Sequence, residues 1–238
     1  MKAMILAAGR GERMKPLTDY TPKPLLKVGG KPLIVWHLER LADAGFKETV
    51  INHAHLGAQI ERTLGNGAQW GLSIQYSPER VALETAGGIA NALDLLANEG
   101  KESEQFLVVN GDIYTEIDFK MLALQANIHA ASGGIKNARA HLVLVDNPSQ
   151  HPNGDFAVLN GMLKNEGKPM LTFSGVGIYH PDLFADITKG QPAKLAPLLR
   201  KAIESNAATA QYYRGVWHDI GTPERLKKLD DNLLKRNQ

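Results

Sequence analysis

The chain of 238 residues contains no cysteine, which excludes disulfides, thiol nucleophiles and cysteine-based zinc or iron–sulfur sites. Long apolar runs are also missing. The N-terminal run over residues 3–8 is shorter than a secretory signal needs. No window approaches the roughly 18 apolar residues of a membrane helix. We therefore expect a soluble cytoplasmic protein with no membrane partner.

A large excess of charge of one sign is absent as well. The formal net charge of +2 at pH 7 is too small to indicate a nucleic-acid partner. The charge is unevenly distributed, because residues 1–31 carry seven basic and two acidic side chains, a net +5, which leaves −3 for the rest. Such a local cationic cluster favours a small anionic ligand. A solvated basic loop is the alternative.

Short apolar runs alternate with amphipathic stretches in the first half of the chain. We predict strands over 4–6, 49–52, 73–76 and 106–110, and helices that open at 31–33 and stop at Gly45, then over 55–64, 88–96 and 118–126. In the second half we predict strands over 141–145, 156–159, 171–179 and 208–214, and helices over 195–205 and 223–236. This order predicts an α/β fold, a Rossmann-like mixed and mostly parallel sheet flanked by helices, in one domain over 1–238. The later strands extend that sheet or form an antiparallel appendage.

A glycine-rich stretch over residues 6–18 leaves the end of the first predicted strand, where open α/β sheets bind ligands. Gly9 and Gly11 allow backbone N–H groups to approach phosphate oxygens without obstruction by a Cβ atom. Arg13 and Lys23 add positive charge and side-chain donors. The stretch therefore predicts a phosphate-binding loop.

Two familiar phosphate loops do not fit this stretch. A dinucleotide fingerprint has a third glycine where Met14 stands, and a Walker loop has a hydroxyl residue where Gly30-Lys31-Pro32 has proline. Two interpretations remain: a nucleotide loop of another kind, or a tight surface loop.

Two acidic residues complete the predicted site. Asp112 comes almost directly after the strand over 106–110, so it lies at the same carboxyl edge of the sheet as the glycine loop. Mg²⁺ typically takes one or two protein carboxylates and completes its shell with water and phosphate, which makes Asp112 a candidate ligand. Asp219 is the candidate second carboxylate, because Thr222 is the better N-cap for a helix that starts near Pro223.

These residues together resemble the sugar-1-phosphate nucleotidylyltransferase family. The resemblance rests on Gly-x-Gly-x-Arg-x-x-Pro-Leu-Thr-x-x-x-Pro-Lys, a later Gly-Asp and a late Asp-Ile-Gly-Thr, and it covers the chain from Met1 to about Arg225. It implies a Mg²⁺-dependent enzyme with catalytic roles for Arg13, Lys23 and Asp112 and metal binding by Asp112 and Asp219. The nucleotide-binding residues it implies are Leu6, Ala8, Gly9, Gly11, Glu12, Arg13, Lys23, Glu84, Thr85 and Asn110. The family often carries a C-terminal β-helix, and we expect none in this chain.

The resemblance extends to the base and to the sugar. The segment 83–88 is similar to the family's base-contacting Leu-Gly-Thr-Ala, with Glu84 in place of the usual glycine, and a simple helix N-terminus is the alternative. The sugar-phosphate contacts it implies are Asp146, Gly154, Glu166 and Ser174. Around Glu166 the chain departs from the usual Glu-Lys-Pro, because a glycine intervenes.

Among short family members, the segments 51–54, 84–88 and 145–148 most resemble those that join UTP and N-acetylmuramate 1-phosphate to give a UDP-sugar and pyrophosphate in cell-wall sugar recycling. A mannose-1-phosphate guanylyltransferase, or another hexose- or heptose-1-phosphate enzyme, is an alternative. A second alternative is a non-catalytic nucleotide-sugar sensor on the same fold. The implied partners are small-molecule substrates, and a monomer is favoured.

Overall fold

The computed structural model describes residues 1–97, 105–131 and 138–236, with side chains in the second range described up to Gln125. Its strands are β1 (Ala3–Ala7), β2 (Lys27–Val28), β3 (Lys31–Pro32), β4 (Glu48–His53), β5 (Ser73–Pro78), β6 (Phe106–Asn110), β7 (Ile113–Thr115), β8 (Ala140–Val145), β9 (Ala157–Leu159), β10 (Met162–Lys164), β11 (Thr172–Tyr179), β12 (Ala208–Tyr212) and β13 (Trp217–Asp219). Its α-helices are α1 (Leu33–Asp43), α2 (Gly57–Leu64), α3 (Glu84–Leu96), α4 (Phe119–Ala131), α5 (Leu195–Glu204) and α6 (Pro223–Arg236). None of the described helices is both long and apolar enough to span a membrane.

Nine strands form one sheet in the order β5-β4-β1-β6-β11-β8-β12-β10-β9. The first four are parallel to one another, and β11 runs antiparallel to both of its neighbours. The strands β8 and β12 are parallel, and the β9–β10 hairpin closes the far edge. The predicted mixed α/β fold is therefore confirmed, and the later strands extend the sheet instead of forming an appendage.

Side chains of the central strand alternate between two cores. Met4 packs on one face with residues of α3 and α5, whereas Ala3 and Ile5 pack on the other face with residues of α1 and α2. All three side chains are fully buried. Because parallel strands are covered by helices on both faces, β1 has an uninterrupted apolar sequence instead of alternating polar positions.

Several elements differ from the sequence expectations, which do not include the short strands β2, β3, β7, β10 and β13. The strands β7 and β13 pair as a separate two-stranded ribbon, which has only three residues per strand and so no detectable periodicity. Helix α3 begins at Glu84 instead of residue 88. Its first turn is held in place because Ala86 and Gly87 donate backbone hydrogen bonds to the Ala193 carbonyl at 2.9 and 3.1 Å.

Candidate active site

A cavity of about 450 Å³ lies where β1, β4 and β6 end. All eleven residues that the sequence predicts for nucleotide binding and catalysis line it: Leu6, Ala8, Gly9, Gly11, Glu12, Arg13, Lys23, Glu84, Thr85, Asn110 and Asp112. The lining also includes the motif glycines Gly111 and Gly221. Further lining residues that the sequence did not assign to the site are Ala7, Met14, Pro24, Asn52, Glu79 and Ala82. The open carboxyl edge of the parallel strands is where ligands bind in this class of sheet.

The glycine loop turns sharply after β1. Gly11 adopts φ +71°, and a Cβ atom there would lie 2.9 Å from the Thr18 methyl group, so only glycine fits without strain. The Gly11 carbonyl accepts hydrogen bonds from the Met14 N–H at 2.8 Å and the Thr18 hydroxyl at 2.9 Å. Glu12 forms ion pairs with Arg10 and Lys15, and the hydrogen bond from Lys15 lowers the pKa of its carboxyl. The loop is therefore ordered by its own contacts.

Lys23 and Asp112 meet across the cavity. The Lys23 ammonium lies 2.7 Å from Asp112 Oδ2, and its side chain is 8% exposed while that of Asp112 is 40% exposed. A nearly buried ammonium needs a compensating charge, and Asp112 supplies it. The pair brings the loop after β1 together with the turn after β6, as the sequence predicts.

The β7–β13 ribbon places Asp219 beside Asp112. Asp219 is the register partner of Ile113, and the Ile220 N–H donates to the Asp112 carbonyl at 3.0 Å. On the outer side of β7, His37 Nε2 lies 2.8 Å from the Ile113 carbonyl. Burial lowers the pKa of His37 to about 4, so the ring is neutral and its Nε2–H is the donor.

The two carboxylates fit a hard divalent cation such as Mg²⁺, which prefers oxygen ligands. In each of them Oδ2 carries the described contacts, from Lys23 to Asp112 and from Arg225 to Asp219. Neither Oδ1 atom has a partner among the described residues. Those residues also contain no group of three or more acidic or histidine side chains that could hold a metal ion. An ion bound here would therefore complete its shell with water and phosphate oxygens.

The late motif also reaches the glycine loop. A Cβ atom on Gly221 would lie 2.5 Å from Arg225 Nη2 and 3.3 Å from Arg13 Nη1, so both guanidinium groups approach this glycine. The Thr222 hydroxyl accepts the Arg225 N–H at 3.4 Å, the N-cap position that the sequence suggested. Gly221 therefore lies between two positive charges beside Asp219.

The opposite wall of the cavity is the start of α3. Glu84 adopts φ +59°, a left-handed conformation that costs a non-glycine residue roughly 1–2 kcal/mol. This explains why a glycine suits the position and why Glu84 is a departure from it. Thr85 follows at the cavity wall, and Gly87 allows close packing because a Cβ atom there would meet the Gln191 carbonyl at 2.4 Å.

Asn52 and Glu79 form a buried polar pair at the base of the cavity. Asn52 Nδ2 donates to Glu79 Oε1 at 2.7 Å, and the two residues are 2% and 7% exposed. Burial raises the pKa of the Glu79 carboxyl, and the hydrogen bonds from the Leu83 N–H and from Asn52 partly offset this increase. Asn52 could have been assigned to the site from the sequence, because it is a polar residue at the end of a predicted strand. No sequence pattern pointed to Glu79.

The predicted sugar-phosphate residues Asp146, Gly154, Glu166 and Ser174 do not line this cavity. The Asp146 carboxylate accepts a hydrogen bond from the Tyr212 hydroxyl. Ser174 Oγ accepts the Val176 N–H at 3.1 Å, and its carbonyl accepts Trp217 Nε1–H at 2.8 Å. Glu166 is exposed. Their roles remain predictions.

The loop over 147–155, where the sequence predicts Gly154 as an acceptor contact, nevertheless contacts one of the two acids, Asp219. In the loop over 147–155, Gly154 adopts φ +65° with the Leu171 N–H directly behind it, where a Cβ atom would lie 2.8 Å from that nitrogen. Asn147 Nδ2 anchors the loop to the Met170 carbonyl at 2.9 Å. Gln150 Nε2 donates to Asp219 Oδ2 at 3.4 Å. The loop is thus connected to the carboxylate edge of the cavity.

Comparisons with known proteins place the chain in a family. A family model described as nucleotidyl transferase matches residues 2–151. The chain is 55% identical over 232 residues to N-acetylmuramate alpha-1-phosphate uridylyltransferase of Neisseria meningitidis serogroup B, and the alignment covers 96% of each chain. It is 30% identical over 233 residues to the mannose-1-phosphate guanylyltransferase catalytic subunit beta of Drosophila melanogaster, covering 94% of this chain and 60% of that one.

The fold is shared with solved structures. A Bacillus anthracis protein described as a glucose-1-phosphate thymidylyltransferase, solved with sucrose, superposes with a TM-score of 0.83 at 21% identity, over 98% of this chain and 95% of that one. HddC of Yersinia pseudotuberculosis, solved with GMP-PN, gives a TM-score of 0.73 at 21% identity, over 97% of this chain and 98% of that one. At these identities the likeness establishes the architecture alone.

Proposed function

Because the chain belongs to the nucleotidyl transferase family, we propose that it transfers the uridylyl group of UTP to N-acetylmuramate 1-phosphate. The products are UDP-N-acetylmuramate and pyrophosphate, in cell-wall sugar recycling. The observation that carries this choice of substrates is the 55% identity to the Neisseria uridylyltransferase over 96% of both chains.

The reaction needs positioning and charge neutralisation more than proton transfer. The second phosphate pKa of a phosphomonoester is about 6, so the sugar phosphate is already a dianion at pH 7 and needs no general base. One of its oxygens attacks the α-phosphorus of UTP. A new P–O bond forms there, the bond from the α-phosphorus to the bridging oxygen breaks, and pyrophosphate leaves with that electron pair. The main obstacle is repulsion between two polyanions.

The residues at the cavity edge address that repulsion. The glycine-loop amides and Arg13 bind the triphosphate, and Lys23 donates to it from its position against Asp112. Asp112 and Asp219 are the residues that would hold Mg²⁺, and a bound Mg²⁺ would neutralise phosphate charge. Fixed donors of this kind cost no reorganisation as charge moves onto the leaving pyrophosphate.

On the other wall, Glu84 and Thr85 contact the nucleoside, and the acceptor enters from the side of the loop over 147–155. The contact from Gln150 to Asp219 supports this direction, because it joins the loop over 147–155 to one of the two proposed metal carboxylates. Asp146, Gly154, Glu166 and Ser174 belong to the acceptor side in this proposal.

Guanylyl transfer to mannose 1-phosphate is the second candidate, supported by the relatives that are about 30% identical. It is weaker, because the chain aligns with only 60% of the length of the Drosophila relative.

The test is a pyrophosphate-release matrix of four nucleoside triphosphates against several sugar 1-phosphates, with and without Mg²⁺. We expect the highest kcat/KM for UTP with N-acetylmuramate 1-phosphate and no release after chelation. A preference for GTP with mannose 1-phosphate would support the second candidate. Nucleotide-sugar binding without release for any pair would support a sensor and contradict an enzyme.

A further inference from the structure

We propose that Asn52 and Glu79 are positioning residues that set the distance between the two walls of the nucleotide cavity. The inference rests on the proposed function in so far as the ligand of that cavity is a nucleoside triphosphate. One wall is the end of β1, which leads into the glycine loop. The other is the start of α3, which carries Glu84 and Thr85. A single chain of hydrogen bonds through the pair joins them.

The chain has three links. The Ala7 N–H donates to Asn52 Oδ1 at 2.9 Å. Asn52 Nδ2 donates to Glu79 Oε1 at 2.7 Å. The Leu83 N–H donates to Glu79 Oε2 at 2.9 Å. All three links are buried, so a lost partner is not replaced easily by solvent.

The direction of these bonds dictates the residue types. Both ends of the chain are backbone N–H groups, which only donate. The first forces Asn52 to present its oxygen to Ala7 and therefore its NH₂ group to Glu79. Glu79 must then accept at both oxygens, from Asn52 and from Leu83. Only an ionised carboxylate can do so, because a glutamine or a protonated acid carries a donor at one of the two positions.

The helix is packed directly against this pair. A Cβ atom on Gly88 would lie 2.7 Å from Asn52 Nδ2 and 2.7 Å from Glu79 Oε1. The glycine at that position allows α3 to approach the amide and the carboxylate, which is how a pair at the strand ends determines where the helix begins. Gly87 and Gly88 are thus required by different neighbours, because Gly87 packs against the Gln191 carbonyl and Gly88 against the Asn52–Glu79 pair.

The same logic predicts a rescue. In Glu79→Gln, the new amide NH₂ group faces a donor, either the Leu83 N–H or Asn52 Nδ2. In Asn52→Asp, the new carboxylate faces the Glu79 carboxylate. When both substitutions are combined, the carboxylate introduced at position 52 would accept from the Ala7 N–H and from the new amide NH₂ group at position 79. The oxygen of that new amide would accept from the Leu83 N–H. Every hydrogen bond is restored, and the negative charge moves from position 79 to position 52. Two substitutions that are harmful singly should therefore compensate each other.

The experiment compares wild type, the two single variants and the double variant, with Asn91→Asp as the matched control. Asn91 is also on α3 but bonds to Ser77, outside the chain of hydrogen bonds. Calorimetry measures the Kd for UTP, steady-state kinetics measures KM for each substrate, and thermal unfolding monitors the fold. We expect each single variant to raise the Kd and the KM for UTP about tenfold or more. The KM for the sugar phosphate should change little, and the double variant should regain most of the UTP affinity.

Two outcomes would overturn the inference. One is single variants that bind UTP as tightly as wild type. The other is a double variant in which the fold-increase in the Kd for UTP equals or exceeds the product of the fold-increases in the two single variants. If the single variants fold poorly, the return of both folding and UTP affinity in the double variant still decides the question. Wild-type protein that neither binds UTP nor releases pyrophosphate would contradict the proposed function, which is a separate failure.

Discussion

The two halves of the sheet present their candidate residues in different ways. In the half formed by β5, β4, β1 and β6, the residues lie in loops that directly follow parallel strands, and they converge on one cavity. In the half that contains β8, β11 and β12, the candidates are dispersed over loops and strand β11. Contacts between distant segments hold some of them, such as the Tyr212 hydroxyl on Asp146 and Asn147 on the Met170 carbonyl. In the proposed function, short contiguous motifs at one edge thus bind the triphosphate, whereas the acceptor site is assembled from segments that are far apart in sequence.

The largest expected effect is a loss of turnover in a Lys23 variant, which tests the half of the sheet that carries the cavity. Replacement by Met keeps most of the length of the side chain but removes the ammonium. We expect kcat to fall about 100-fold or more, as for other lost transition-state donors. Thermal stability should fall much less, because the remaining Asp112 carboxylate is 40% exposed and keeps water contacts. Lys189→Met, which removes an exposed partner of Asp94, is the control. Activity lost only in proportion to unfolded protein would make Lys23 a structural residue.

The sequence predicted the long elements because each one buries a periodic apolar face. The strands over 4–6 and 106–110 and the helix over 223–236 lie within one or two residues of β1, β6 and α6. The sequence did not predict the β7–β13 ribbon, since three-residue strands carry no pattern. It placed the start of α3 too late, because two consecutive glycines disfavour a helix locally while the Ala193 carbonyl holds it.

For the site, the sequence indicated the residues that lie in motifs and missed those that act through others. Lys23 and Asp112 stand next to recognisable glycine and proline patterns, and their contact follows from the shared sheet edge. Glu79 stands in no pattern, and its proposed role depends on Asn52, a partner 27 positions earlier that meets it only in the folded chain. The register of the acceptor-side turns likewise depends on tertiary contacts.

A smaller effect on catalysis, at Gly154, tests whether the other half of the sheet recognises a separate substrate. Gly154→Ala places a Cβ atom at φ +65° and 2.8 Å from the Leu171 nitrogen, so it should displace the loop over 147–155. We expect the KM for the sugar phosphate to rise about tenfold while the KM for UTP stays near the wild-type value. Gly190→Ala, also at positive φ but with open space around it, is the control. Equal increases in both KM values would show that the halves do not recognise separate substrates.

The last effect is on folding stability and appears only in acid. The pKa of buried His37 is lowered to about 4 from an ordinary value of 6.5, so the unfolded chain binds this proton more tightly than the folded one. Folding stability should therefore be complete above pH 6.5 and decline as the pH falls toward 4, by at most about 3 kcal/mol from this group.

Denaturant unfolding across that pH range measures the decline, with His37→Phe for comparison. The variant loses the bond to the Ile113 carbonyl at every pH, but its stability should depend less on pH. An unchanged slope in the variant would assign the acid sensitivity to other groups.

The proposed chemistry requires Asp112 and Asp219 to act on one shared cation at one edge of the sheet. The decisive experiment is a double-mutant cycle of Asp112→Asn and Asp219→Asn, with Asp94→Asn as an exposed control, measured by pyrophosphate release over a Mg²⁺ titration. We expect each single variant to lose about 100-fold or more in kcat, and the double variant to lose little beyond the worse single, because residues that act as a unit are not additive. Losses that multiply in the double variant would mean that the two acids act independently, and would rule out a shared cation.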